Sequence, residues 1–139
     1  KSISRIHLVL ARMEATRRQA AEAILLGSDG YVREGTASNV FLVEAGELKT
    51  PSTQCGILEG VTRAAILEVA RAEGIGVEEG LLDAERLRRA DELFLTNTSW
   101  GALPVATLDG APIGNGRAGR IALKLGQILS DLVEKECGT

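Results

Sequence analysis

The sequence predicts an α+β fold in which helices flank an antiparallel sheet. Three observations favour this class. Apolar residues recur at helical spacing near both ends of the chain, short apolar runs come in pairs around glycine-containing turns, and the strands fall into groups. A chain of 139 residues is long enough to form one domain. A domain of that size buries roughly two-thirds of the surface that its unfolded chain exposes.

Four helices are expected. The first runs from residue 3 to about residue 19, where apolar residues at spacings of three and four form a stripe. A second covers residues 61–70 and ends before Gly74. Residues 83–89 predict a short charged helix. The last helix spans residues 121–132 and contains Gly126 as a weak point.

The strands are predicted mostly as hairpins. The paired runs are residues 23–26 with 31–34, residues 40–43 with 47–50, and residues 103–108 with 111–113. Single strands are expected at residues 76–79 and 92–96, the second of them buried. Because the first two hairpins follow one another directly, we expect antiparallel pairing.

Composition excludes several classes of function. The net charge of −3 comes from 16 basic and 19 acidic residues, so no nucleic-acid partner is expected. Cys55 and Cys137 lie far apart without a histidine cluster, which argues against a zinc site and favours a reducing, cytoplasmic location. The sequence contains no apolar run of about twenty residues, so no membrane span is expected. Since the chain begins at Lys1 without a methionine, we expect it to be part of a longer protein.

Two hydroxyl-rich segments are candidate binding loops. The helix start at Gly60, Val61 and Thr62 offers unpaired backbone amides and a hydroxyl, which suit a phosphate but also describe an ordinary helix cap. Residues 96–99 follow a strand end, where loops carry function on a rigid scaffold, although a plain polar loop has the same composition.

Two charged residues have equally open interpretations. Glu34, at a strand end before Gly35, is either a solvated turn acid or a carboxylate that keeps a ring nitrogen protonated. Lys1 is either a solvated chain end or, if its amine is desolvated, a Schiff-base lysine.

The order of these features resembles a known family. The segments EGxxxNVF, LxTP, GILxGVTR, DELFL and TNT follow Lys1 along essentially the whole chain. They resemble the class IV aminotransferases, the fold type IV pyridoxal-phosphate enzymes, which include branched-chain and D-amino-acid aminotransferases and 4-amino-4-deoxychorismate lyase. The resemblance implies that residues 1–139 are the larger C-terminal domain, with strands in a sheet or pseudo-barrel. It also implies that the family's smaller N-terminal domain is absent from this chain.

The resemblance also implies roles for particular residues. Lys1 would form the Schiff base with pyridoxal phosphate, Glu34 would contact the pyridine nitrogen, and Leu58 would pack on the ring face. The residues expected to bind the phosphate are Val61, Thr62, Asn97 and Thr98. The residues expected to line the substrate side are Thr36, Ala37, Ser38 and Ser99. No metal is expected.

Three functions follow from the resemblance. The first is transfer of an amino group from an amino acid to a 2-oxo acid. The alternative is the lyase, favoured by Arg5 and by the loop of residues 97–104, in which Gly101 stands where many aminotransferases have a glutamate. The third is a non-catalytic module for cofactor binding or dimerisation. By analogy with the family, a homodimer or larger assembly is expected.

Overall fold

The computed structural model describes residues 6–137 and confirms the α+β class. Within that range the helices are α1 (Ile6–Arg17), α2 (Val61–Ala72), α3 (Ala84–Arg89) and α4 (Arg120–Cys137). The strands are β1 (Ile24–Leu26), β2 (Val32–Gly35), β3 (Asn39–Glu44), β4 (Glu47–Pro51), β5 (Val77–Gly80), β6 (Glu92–Asn97), β7 (Gly101–Pro104), β8 (Thr107–Leu108) and β9 (Ala111–Pro112). A 3₁₀ turn, Thr53–Cys55, follows β4.

The main sheet has five strands in the order β5-β4-β3-β6-β7. β3 pairs antiparallel with β4 and β6, and β6 pairs antiparallel with β7. β5 lies parallel to β4, because α2 returns the chain between them as a crossover connection. The sheet is therefore mixed at one edge.

β3 and β6 form the centre of the sheet, buried on both faces. Phe41 and Phe94 are paired in the ladder and their rings stack, with centroids 5.1 Å apart and planes 5° from parallel. On that face α2 and α4 pack against the sheet, and on the other face α3 and the small hairpins pack against Val40, Leu42 and Leu93. The core therefore has two layers separated by the central strands.

The predicted hairpins are found with two changes. β1 and β2 pair as expected, although they form a separate two-stranded sheet. The predicted strand over residues 103–108 is wrong as a single element, since it splits into β7, paired with β6, and β8, paired with β9. Pro104 lies opposite Phe94 at the end of the β7 ladder, and proline has no N–H with which to continue one.

The outer helices differ in how they use their apolar residues. In α4, Gly126 lies close to β7, since a Cβ atom there would stand 3.3 Å from that of Ala102. The predicted weak point therefore lies at a close helix–sheet contact. In α1, Ile6, Leu10 and Met13 are 58–65% exposed, so the described residues do not cover this apolar stripe. The helix ends at Arg17, before the predicted residue 19, and its predicted start lies outside the described residues.

The main sheet has an Asn39 end and a Glu44 end. The Asn39 end contains Asn39, Pro51 and Asn97, and the Glu44 end contains Glu44, Glu47 and Glu92. α2 begins at the Asn39 end, where Gly60 approaches Asn39, while α4 begins at the Glu44 end beside Glu92. Among the described residues, no helix is both long and apolar enough to cross a membrane.

Candidate functional site

Residues 36–38 form a tight turn between β2 and β3 at the Asn39 end. The amide of Gly35 donates to the carbonyl of Ser38 at 2.8 Å, which closes the turn. Thr36 and Ser38 are buried, and Ala37 is exposed. A Cβ atom at position 35 would lie 2.1 Å from Ser38 Oγ, so glycine is required there. The predicted substrate-side residues of this turn therefore have a fixed backbone.

Glu34 and Leu58 are neighbours through a backbone contact. The amide of Leu58 donates to Glu34 Oε1 at 3.0 Å, and Asn39 Nδ2 donates to the Leu58 carbonyl at 2.9 Å. Both polar groups of the Leu58 backbone are thus bound, while the residue as a whole is 53% exposed. The two residues that were predicted to contact one cofactor ring lie side by side.

The N-terminus of α2 is the second part of the site. Its N-cap, Gly60, makes no side-chain cap hydrogen bond, and the first turn of this fully described helix holds no acidic residue. Val61 is 78% exposed, while Thr62 is buried. A Cβ atom at position 60 would lie 2.4 Å from Asn39 Oδ1, so glycine lets the helix start approach β3 closely. Unopposed backbone amides and the positive end of the helix dipole favour an anion here.

Arg63 fixes this helix start to the sheet. Its side chain is 1% exposed, and its Nη2 donates to the Pro51 carbonyl at 3.1 Å and to Glu79 Oε1 at 2.7 Å. The hydrogen bond from Arg63 holds the pKa of the Glu79 carboxyl below its ordinary value, against the opposing effect of burial. α2 is therefore attached to the ends of both β4 and β5.

Asn97 connects the β6–β7 turn with the turn of residues 36–38. Its Nδ2 donates to the Ala37 carbonyl at 3.0 Å, and its Oδ1 accepts from the amides of Ser99 at 3.0 Å and Trp100 at 2.8 Å. Thr98 and Ser99 are exposed in this turn. Asn97, which is predicted on the phosphate side, is therefore hydrogen-bonded to Ala37 and Ser99, which are both predicted on the substrate side.

Thr96 adds an unexplained polar group at the same end. It is 1% exposed and pairs with Asn39 in the ladder. Its hydroxyl is buried, and no partner is found for it among the described residues. A buried hydroxyl without a partner, on the residue paired with Asn39, is consistent with a site that binds a polar group.

Glu22 is a site residue that the sequence did not reveal. Its carboxylate accepts hydrogen bonds from the Thr36 hydroxyl, from the Ser38 hydroxyl at 2.9 Å and from the Ala37 amide at 3.2 Å. Burial is the largest single influence on its pKa and raises it, but the hydrogen bonds together lower the pKa below its ordinary value. The sequence holds one signal for a buried Glu22. This residue directly precedes the apolar run of residues 23–26, where a charged side chain requires partners.

The predicted residues therefore fall into connected groups. Glu34 lies against Leu58, Ala37 and Ser99 are bound to Asn97, and Val61 and Thr62 begin the helix beside Asn39. Lys1 lies outside the described residues, so its role stays a prediction. Within residues 6–137, no group of three or more His, Cys, Asp and Glu side chains is arranged to hold a metal ion.

An α+β domain whose loops place a carboxylate and an unopposed helix start at one end of a sheet can bind an anionic ligand there. The chain belongs to the class IV aminotransferases, since the family model described as amino-transferase class IV matches residues 1–108.

The similar proteins are aminotransferases. A putative branched-chain-amino-acid aminotransferase of Methanocaldococcus jannaschii is 41% identical over 135 residues, covering 97% of this chain and 47% of that protein. A probable branched-chain-amino-acid aminotransferase of Thermotoga maritima is 46% identical over 109 residues, covering 78% of this chain and 39% of that protein. The chain therefore spans less than half the length of these relatives.

The fold also matches the folds of solved structures. The crystal structure of a branched-chain amino acid aminotransferase from Thermobaculum terrenum, in its PLP-bound holo-form, superposes with a TM-score of 0.89 and 36% identity. The match covers 93% of this chain and 42% of that one.

Proposed function

We propose that this chain is the larger, C-terminal domain of a pyridoxal-phosphate-dependent aminotransferase. The observation that carries the proposal is the α2 helix start without an acidic cap, placed beside the Glu34–Leu58 contact at the Asn39 end. The family match and the named activity of the relatives support it. Because these relatives are named branched-chain amino acid aminotransferases, the first substrates to test are branched-chain amino acids and their 2-oxo acids.

The residues present fit the cofactor. The amides of Val61 and Thr62 would bind its phosphate, together with Asn97 and Thr98 from the β6–β7 turn. Glu34 would hold a proton on the ring nitrogen, because a nearby carboxylate stabilises the protonated form. Leu58 would cover a ring face. The bound cofactor supplies an electron-withdrawing ring that stabilises negative charge at the substrate α-carbon.

Lys1 would carry the reactive amine and move a proton from the substrate α-carbon. Thr36, Ala37, Ser38 and Ser99 would line the substrate side, on backbone held by Asn97 and Glu22. By analogy with the family, we include association into a homodimer in the proposal. A cytoplasmic location is part of it too, and the two unpaired cysteines support it.

Reductive trapping tests the lysine directly. The full-length enzyme that contains this chain would be incubated with pyridoxal phosphate, reduced with borohydride and mapped by peptide mass spectrometry. We expect the label on the Lys1 ε-amine and none in a Lys1→Arg variant. Lys49→Arg is the matched control, since the Lys49 ammonium is paired with Glu47 at 3.1 Å and Glu78 at 3.0 Å. A label on another lysine would contradict the assignment.

An assay of both reactions decides between the enzymes of this family. The proposal expects a branched-chain amino donor to be converted to its 2-oxo acid through many turnovers when an acceptor 2-oxo acid is present, and at most once per bound cofactor without an acceptor. Release of pyruvate from 4-amino-4-deoxychorismate, without amino transfer, would replace the proposal with the lyase. An enzyme with neither activity that still binds the cofactor would be a binding module.

A further inference from the structure

A carboxylate that accepts several hydrogen bonds near the site belongs to Glu22, on the segment between α1 and β1. Its side chain is only 4% exposed. Four hydrogen-bond donors converge on its two oxygens. They are the Thr36 hydroxyl, the Ser38 hydroxyl, the Ala37 amide and the Ala23 amide. Three of these donors come from the same turn, which lies 14 to 16 residues further along the chain.

Two hydrogen bonds that do not involve Glu22 also hold the turn. Its internal hydrogen bond joins Gly35 to Ser38, and its Ala37 carbonyl accepts from Asn97 at 3.0 Å. The Ala37 peptide is thus bound at its N–H by Glu22 and at its carbonyl by Asn97. Since a carboxylate accepts more strongly than a neutral oxygen, Glu22 makes the strongest contacts of the turn.

Arg12 balances the buried charge. Its guanidinium lies 3.6 Å from Glu22 Oε1 and also donates to the Ala21 carbonyl. The side chain of Arg12 is about half exposed, so α1 supplies the countercharge from the solvent side. A buried carboxylate with a cation and four donors is a satisfied group that fixes the geometry of its partners.

We infer that Glu22 is a positioning residue, which sets the conformation of residues 36–38 and through it the binding of the amino-acid substrate. This inference rests on the proposed function, in which that turn lines the substrate side. In this role Glu22 acts through the turn, whose residues 36, 37 and 38 it holds by hydrogen bonds. Displacement of a substrate-binding backbone by about 1 Å can cost up to a hundredfold in rate or affinity.

The test compares variants of the full-length enzyme in steady-state kinetics. Glu22→Ala removes every acceptor, and we expect KM for the amino donor to rise about tenfold or more, with cofactor affinity changed less than about twofold. Glu22→Gln should lie between, because the amide keeps one acceptor oxygen but turns an N–H donor toward Ser38 or Ala37. Glu22→Asp keeps the charge and should restore part of the loss.

The matched control is Glu92→Ala. Glu92 also accepts two backbone amides, those of Ile121 at 3.1 Å and Ala122 at 2.9 Å, but it does so at the Glu44 end. We expect this variant to lose stability without a rise in KM. If Glu22→Ala lowers the Tm and leaves KM at the value of the control, the residue is merely structural and the inference is overturned.

The two proposals fail in different ways. A wild-type enzyme that transfers no amino group would overturn the proposed function and this inference with it. A wild-type enzyme that transfers normally, with KM unchanged in Glu22→Ala, would overturn the inference alone.

Discussion

The two long helices of the core begin at opposite ends of the sheet and treat their N-termini differently. At the Glu44 end, the chain itself supplies an anion, since Glu92 accepts the amides of Ile121 and Ala122 in the first turn of α4. At the Asn39 end, the N-cap of α2 is Gly60, which makes no side-chain cap hydrogen bond. An N-terminus that carries its own carboxylate is part of the scaffold. One without a carboxylate can accept the charge of a ligand.

Val61→Asp should remove this difference between the two helix starts and have the largest effect, a loss of cofactor affinity. It places a carboxylate in the first turn of α2, where an anionic phosphate would bind. At a separation of about 6 Å and an effective dielectric of about 20, two unit charges repel by about 2.8 kcal/mol, so cofactor affinity should fall about a hundredfold. Titration of the apoenzyme with pyridoxal phosphate measures the change.

Val61→Asn is the control for that variant, since asparagine has nearly the same shape as aspartate but carries no charge. The aspartate should leave the Tm unchanged or slightly higher, because a carboxylate stabilises a helix N-terminus. Equal affinities in the two variants would refute a phosphate at this helix start.

Glu92→Ala tests the other end. Loss of the two amide contacts should lower the free energy of unfolding by about 2 kcal/mol, the upper range for a helix cap. Urea denaturation of the apoenzyme measures this. Cofactor affinity should not change, because α4 begins at the end of the sheet away from Asn39. A fall in affinity that matches the fall in stability would show that the two ends are coupled.

The smallest effect concerns the acid stability of the Glu44 end. The hydrogen bond from Arg86, at 2.6 Å, holds the pKa of Glu44 below its ordinary value of 4.5. A pKa that is lowered in the folded state stabilises the protein at neutral pH, and this contribution disappears as the pH falls below 4.5 through the folded pKa.

Arg86→Met should therefore destabilise by about 1 kcal/mol at neutral pH, and its difference from wild type should shrink in acid. Arg88→Met is the control, since Arg88 is about half exposed and its ion pairs are 3.7 and 3.9 Å long. A constant difference for Arg86→Met across the acid range would exclude this pair as the source.

Local patterns predicted most elements, because helical spacing and paired apolar runs are properties of neighbouring residues. They did not reveal the parallel pairing of β5 with β4, which depends on where α2 returns the chain. The family resemblance implied that Glu34 and Leu58 share a site. The structure shows a hydrogen bond between the Leu58 amide and the Glu34 carboxylate, and the shared cofactor role stays a prediction. Glu22 was missed since its partners lie in a turn that only the folded chain brings near. The apolar stripe of α1 identified a helix but not what covers it.

The stacked pair of Phe41 and Phe94 has a consequence for how the site is assembled. In a β ladder, a slip of one residue turns every side chain to the opposite face. Asn39 and Thr96 lie two residues from these rings on the same strands and are paired with each other. A chain that misaligned β3 and β6 by one position would bury its rings against the wrong helices and also turn Asn39 away from Leu58 and Gly60. Correct folding of the hydrophobic centre and correct formation of the polar end therefore depend on the same strand register, which the aromatic stack helps to fix.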